Sequence, residues 1–204
     1  MERQWIKGIV VGVGACLALA GSAMAQTTGT ITLTDGFFQI GSQSAMIDPG
    51  NPPSLGYSYD GAGALALPAD QAVFPPVLVP APPPLKQIEI DISLTQDGSG
   101  TIDPIGGLAT ANISLFFALI NPFLPMGCGI GPVVVNPTTD TSGTLTGTPY
   151  DSASGTAGFV ENVYDVPRSS GCSIFGPAID SQLGLPSPSG NNQAVLNVLY
   201  SPAI

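Results

Sequence analysis

The sequence contains no histidine and few positive charges, and these two absences exclude several classes of function. Without histidine there is no Ser-His-Asp or Cys-His nucleophile, no His-ligated zinc and no histidine general base. Four lysines and arginines stand against 14 aspartates and glutamates, which gives a net charge of −10. Phosphate binding needs clustered lysine and arginine, so nucleic acid is excluded as a partner.

Long apolar runs are scarce, and the one at the N-terminus predicts export. A short basic segment precedes an apolar stretch over residues 8–20 and an A-x-A site that ends at Ala25. This is the order of a secretory signal peptide, residues 1–25, so we expect a secreted, periplasmic or cell-surface mature chain. Cys16 offers the alternative of lipid attachment. No later segment has the length and apolarity of a membrane helix.

Two cysteines, Cys128 and Cys172, follow the predicted signal peptide. An exported protein meets an oxidising compartment, so we expect these two residues to form a disulfide. Closing a loop of about 45 residues contributes roughly 3–4 kcal/mol in the chain-entropy model. A redox or metal role would need a C-x-x-C spacing or a nearby histidine, and the sequence has neither.

Alternating aliphatic residues predict a mostly β protein. The clearest pattern spans residues 88–95, where four aliphatic side chains share one face and Glu89 and Asp91 lie on the other. Asp97 and Gly98 predict a hairpin turn after this strand. A second inward-facing set runs from 109 to 119. Further strands are predicted at 28–34, 37–40, 143–148, 156–166 and 193–200.

One short helix is predicted near residues 174–183, with Pro177 in its first turn and Gly184 at its end. Residues 41–86 are rich in proline, which prevents most of this segment from forming central strands, so we expect it to be irregular. Residues 26–204 are therefore predicted to form a single antiparallel β-sandwich, immunoglobulin-like in the broad sense, with one helix and one disulfide.

The proline-rich segment 41–86 also contains the best candidates for ligand binding. We expect it to lie over the sheet as an ordered flap, with Tyr57, Tyr59 and Phe74 as stacking surfaces for an apolar ligand or a glycan. Long segments with little regular structure are often functional, although packing explains this one equally well.

Carboxylates are the only other candidates for chemistry. Glycoside cleavage requires two acids across a groove, and Glu89 and Asp91 share a strand face, which makes a carboxylate-only hydrolase an alternative. Solvated acids on an exposed sheet face explain them as well. Calcium is a possible cofactor through carboxylates from separate loops, with these candidates: Asp97, Asp103, Asp140 and Asp151.

The C-terminal part of the sequence resembles secreted bacterial β-sandwich proteins with no assigned activity. The resemblance is carried by residues 145–151, by Val166-Pro167 before Cys172 and by residues 183–192, within a region from 88 to 204. It implies the fold and supplies no catalytic residue.

The sequence alone favours a non-enzymatic module, structural or adhesive, of the cell envelope or extracellular space, with no cofactor. No nucleophile, base or cofactor signature points to catalysis. Binding of an apolar ligand or glycan beneath the flap is the first alternative, and a carboxylate-only hydrolase is the second.

Overall fold

The computed structural model describes residues 26–81 and 83–204 and shows an antiparallel β-sandwich. The signal peptide predicted for residues 1–25 lies outside the described residues. The strands are β1 (Thr27–Ile40), β2 (Gln43–Met46), β3 (Ser54–Tyr59), β4 (Ala64–Leu67), β5 (Ala72–Val73), β6 (Val77–Pro80), β7 (Gln87–Leu94), β8 (Gly98–Ile102), β9 (Ala109–Ile120), β10 (Gly129–Val135), β11 (Thr141–Ser142), β12 (Leu145–Thr146), β13 (Thr148–Asp151), β14 (Thr156–Glu161), β15 (Ser169–Ser170) and β16 (Gln193–Ser201). The only α-helix among the described residues is α1 (Gly176–Leu183), and short 3-10 helices cover Ala69–Gln71 and Ser173–Phe175.

Apart from the small separate sheet of β11 and β12, the strands form two layers that share one strand. The first layer runs in the order β13-β14-β16-β1-β3-β4-β8, with β2 and β5 beside β1 and β3. The second layer contains β6, β7, β9, β10 and β15. Strand β9 belongs to both, because Ala109–Asn112 pairs with β8 and Leu115–Ile120 pairs with β7. The two sheets are therefore joined covalently along β9.

Strands β7 and β9 confirm the predicted alternation. On β7 the even-numbered aliphatic residues point inward, and Asp91 on the opposite face is exposed. On β9, Leu115, Phe117 and Leu119 are buried. The predicted hairpin at 96–100 is wrong, because β8 pairs with β4 and β9 and not with β7. The chain crosses from one layer to the other at this point, so the turn residues do not connect two paired strands.

The prediction of an irregular segment over residues 41–86 needs correction, because β2 to β6 lie within it. Strand β3 pairs with β1 along six residues and is mostly buried. The physical reason is the spacing of the prolines. Residues 54–67 contain none, so that stretch keeps every backbone N–H that a sheet requires.

The helix and the disulfide lie together beside the second layer. Helix α1 carries Pro177 in its first turn and ends at Gly184, whose φ of 69° is the left-handed conformation that glycine adopts without strain. Cys128 and Cys172 form the predicted disulfide. Asp180, on the helix, accepts a hydrogen bond of 2.8 Å from the amide of Ser169 and so ties α1 to β15.

Candidate functional site

The space between the two layers is not completely filled. A cavity of about 420 Å³ lies between the inward faces of β1, β9, β14 and β16, and β2 and β6 border it. Natural ligand pockets span about 300–1,000 Å³, so this cavity has the size of a binding site. Its position puts it beneath the segment 41–86.

The walls of the cavity are inward-facing apolar side chains that remain partly accessible. On the strands these residues occupy the positions that face the other layer, where a solid sandwich would bury them completely. The accessible wall residues are Phe38, Ile92, Ala111, Ile113 and Leu196. Partial exposure at inward positions shows that the interior is not completely filled here.

The entrance lies between β2 and β6, and we call this region, with residues 74–76, the mouth. Strand β2 pairs with β1 in the first layer, and β6 pairs with β7 in the second. Both strands contribute to the cavity lining. Met46 is 71% exposed and Leu78 is 58% exposed, so the mouth carries apolar side chains in contact with solvent.

Residues 74–76 cross from one layer to the other at the mouth. The preceding strand β5 pairs with β3, whereas the following strand β6 pairs with β7. Phe74, Pro75 and Pro76 all line the cavity. Proline has no backbone N–H, so this crossing places few unpaired donors next to an apolar space.

Aromatic rings form part of the inner wall. Phe38 stacks on Phe117 with ring centroids 5.9 Å apart, and on Tyr164 at 5.6 Å. The hydroxyl of Tyr164 donates a hydrogen bond of 2.7 Å to the carbonyl oxygen of Gln39. Burial raises the pKa of Tyr164, so its hydroxyl stays protonated and keeps this hydrogen bond.

Three tyrosines close the interior at one side of the cavity, and we call this cluster the tyrosine end; Tyr200 also lines the cavity. Tyr200 contacts Tyr57 and Tyr150 edge-to-face, with ring centroids 5.6 and 5.3 Å apart. The hydroxyl of Tyr57 donates to the carbonyl oxygen of Pro202 at 2.6 Å, and that of Tyr150 donates to Ile204 at 2.9 Å. The C-terminal residues are thereby held across this end.

The three predicted ligand-binding residues do not come together. Phe74 lies at the mouth and lines the cavity. Tyr57 belongs to the tyrosine end, and Tyr59 is buried on the same face of β3. Neither tyrosine is among the residues that line the cavity. The other aromatic residues that line the cavity are Phe38, Phe117, Phe159 and Tyr200, which the sequence did not single out as binding residues.

One buried carboxylate, Glu161, also lines the cavity and was not identified from the sequence. Its side chain is 3% exposed and lies at the end of β14. Its Oε1 accepts hydrogen bonds from the Ser142 hydroxyl at 2.7 Å and from the amide of Val163, and Oε2 accepts one from the amide of Asn136 at 3.1 Å. A lone acid on the inward face of an otherwise apolar strand is the signal that could have revealed it.

The predicted calcium candidates lie in loops or, for Asp151, at the end of β13, and all four accept hydrogen bonds from the protein itself. Asp97 accepts from the amide of Ala69 at 2.8 Å. Asp103 and Asp151 each accept from the amide two residues further along the chain. Hydrogen bonds lower the pKa of both carboxyls, at Asp103 chiefly from the backbone of Gly106 and at Asp151 chiefly from the hydroxyl of Ser154. Asp140 is exposed. Over residues 26–81 and 83–204, no three acidic, histidine or cysteine side chains are close enough to hold a metal ion.

The two strand acids considered for glycoside cleavage lie on the outer face of β7. Glu89 is opposite Ile120 and Asp91 is opposite Ala118 in the pairing with β9. Neither lines the cavity.

Within the described residues, no helix is long and apolar enough to cross a membrane.

Comparisons of the chain with protein-family models, with curated proteins and with solved structures give no match in any of the three.

Proposed function

We propose that this protein binds an apolar small molecule in the cavity between its two β-sheets. The observation that carries the proposal is the cavity itself, about 420 Å³ in volume and open at the mouth. An apolar cavity of roughly 150 Å³ binds benzene. The cavity described here is nearly three times as large, so it has room for a larger ligand, for example a medium-length alkyl chain or a small polycyclic compound.

Two further features support binding over a purely structural role. Interiors of proteins are normally packed as densely as organic crystals, and deletion of packing atoms is costly. An unfilled space of this size, bordered by the exposed side chains of Met46 and Leu78, therefore supports ligand binding. The structural or adhesive role favoured by the sequence depends instead on missing catalytic signatures, so we rank ligand binding first.

We also propose that the protein works outside the cytoplasm. The disulfide Cys128–Cys172 supports this location, because such bonds persist mainly in oxidising compartments. The predicted signal peptide points the same way. The ligand would then be met in the periplasm, at the cell surface or in the medium.

The proposal is tested by titrating the purified protein with Nile red, an uncharged dye whose fluorescence rises in apolar surroundings. We expect saturable binding of one dye molecule. Ala111→Leu places a larger side chain in the cavity and should weaken binding at least about tenfold, which is roughly 1.4 kcal/mol.

The matched control is Ala66→Leu, the same exchange at an exposed position of β4, which should leave the affinity unchanged. Absence of saturable binding, or equal affinities for the two variants, would reject the cavity as a ligand site.

A further inference from the structure

The charge of the cavity lining limits which ligands the cavity accepts. The lining contains two acidic residues, Asp48 and Glu161, and no lysine or arginine among the described residues that form it. The cations at Lys86 and Arg168 lie outside the lining and are exposed. A ligand with a negatively charged end would therefore enter a negatively lined space without a positive partner.

Glu161 is placed where a polar end of a ligand would meet it. It pairs across the sheet with Ala194, so the two residues share the inward face, and both line the cavity. An ionised carboxylate offers about four acceptor positions. Ser142 and the amides of Val163 and Asn136 occupy three of them, and Oε2 carries only one of these bonds.

All three protein donors to Glu161 are neutral groups. A buried carboxylate gains from a further donor, and it repels a second carboxylate brought into the same low-dielectric space. The chain as a whole has a net charge of −10, which acts in the same direction at longer range.

Building on the proposed function, we infer that the cavity selects amphiphiles whose polar end is an uncharged or cationic hydrogen-bond donor, a hydroxyl or an amine, and discriminates against carboxylates. Glu161 accepts the hydrogen bond from the donor. The apolar walls take the hydrocarbon part, and Asp48 at the mouth adds to the exclusion of anions.

The inference is tested with three ligands of equal chain length at pH 7: dodecan-1-ol, dodecylamine and dodecanoate. Each displaces Nile red from the purified protein, and its dissociation constant follows from the displacement. We expect dodecanoate to bind at least about tenfold more weakly than the other two. Equal or tighter binding of dodecanoate would overturn the inference.

The variant Glu161→Gln tests whether Glu161 causes the discrimination against dodecanoate, because it removes the charge and keeps the shape of the side chain. The ratio between the dissociation constants of dodecanoate and dodecan-1-ol should fall at least about threefold. Asp91→Asn is the matched control, since it removes the same charge from the outer face of β7, and its ratio should stay at the parent value. If Glu161→Gln does not fold, the variant Asp48→Asn replaces it. Asp48 is exposed and lines the cavity, so this variant should lower the same ratio of dissociation constants.

The two proposals fail in different ways. If all three ligands bind equally and Ala111→Leu weakens them all, the cavity is a ligand site and the inference about the polar end is wrong. If none of the three displaces Nile red and the dye itself does not bind, the proposed function is wrong and the inference falls with it.

Discussion

Two regions of the sandwich interior, the tyrosine end and the cavity, differ in how they are filled. At the tyrosine end, Tyr57, Tyr150 and Tyr200 fill the space between the layers, and their hydroxyls are tied to the C-terminal residues. Around the cavity, inward positions of the two sheets carry the small residues Ala111 and Ala194, and a volume of about 420 Å³ stays unfilled.

This difference teaches that alternation fixes which residues face inward, while side-chain size decides whether the interior is solid. Strand β16 shows both cases on its inward face: Ala194 is a small residue in the cavity wall, whereas Tyr200 lines the cavity and packs against the other two tyrosines of the tyrosine end. We therefore expect substitutions at the tyrosine end to affect stability and those at the mouth to affect binding.

The largest effect is expected from Tyr57→Ala at the tyrosine end. The side chain is 2% exposed, and removing it should lower the free energy of unfolding by about 3–5 kcal/mol. Chemical denaturation measures this loss. Tyr57→Phe is the control; it removes only the hydrogen bond to Pro202 and should cost about 1 kcal/mol. A loss below about 1 kcal/mol for Tyr57→Ala would mean that this end is not tightly packed.

Removal of the disulfide should come next. The loop that it closes has a sequence separation of 44 residues and includes β14 in the first layer as well as β10 in the second. The double variant Cys128→Ser, Cys172→Ser should lose about 3–4 kcal/mol in the free energy of unfolding. The parent protein treated with reductant should match it, and a parent that is insensitive to reductant would contradict the prediction.

The same substitution at two positions of β9 compares a filled part of the interior with the cavity wall most closely. Ala109 and Ala111 lie two residues apart on the inward face; Ala109 is completely buried and lies outside the cavity lining, whereas Ala111 lines the cavity and is partly accessible. Ala109→Leu should cost about 1–3 kcal/mol through overpacking. Ala111→Leu should change stability by less than about 0.5 kcal/mol. Equal losses in thermal unfolding would show that the interior is uniformly packed.

The smallest effect is expected from the hydroxyl groups at the tyrosine end, because they titrate only at high pH and do not change stability at neutral pH. Burial raises the pKa of Tyr57 and of Tyr150 above the ordinary value of 10.0. The unfolded chain therefore releases these protons at a lower pH than the folded protein does. The stability that the two hydroxyls contribute is fully present below about pH 10 and is lost as the pH rises further. Tyr150→Phe should show a smaller fall than the parent above pH 10 in urea denaturation. An equal fall would remove Tyr150 from this account.

Much of the fold could be predicted because alternation is a local signal. Residues 88–95 and 109–119 carry it clearly, and both are strands. Strand β10 was not predicted because Pro132 lies inside it. The structure accommodates this proline through a register shift between Ile130 and Val133, which sequence patterns do not reveal.

The cavity was less predictable, because the sequence does not show how far apart two layers stand. The proline-rich segment was expected to cover a binding site, and it does border the cavity. Aromatic content alone singled out Tyr57 and Tyr59 together with Phe74. Their neighbours separate them: Tyr57 contacts Tyr200 at the closed end, whereas Phe74 lies where the chain crosses between sheets.

The most direct test follows the methyl groups of isoleucine and leucine by NMR while dodecan-1-ol is added. The account predicts saturable shifts for Ile92, Ile113 and Leu196, which line the cavity. It predicts constant signals for Ile102 and Ile179, which are equally apolar and buried outside it. Shifts confined to exposed methyl groups such as those of Leu108, or none at all, would contradict a ligand site between the sheets.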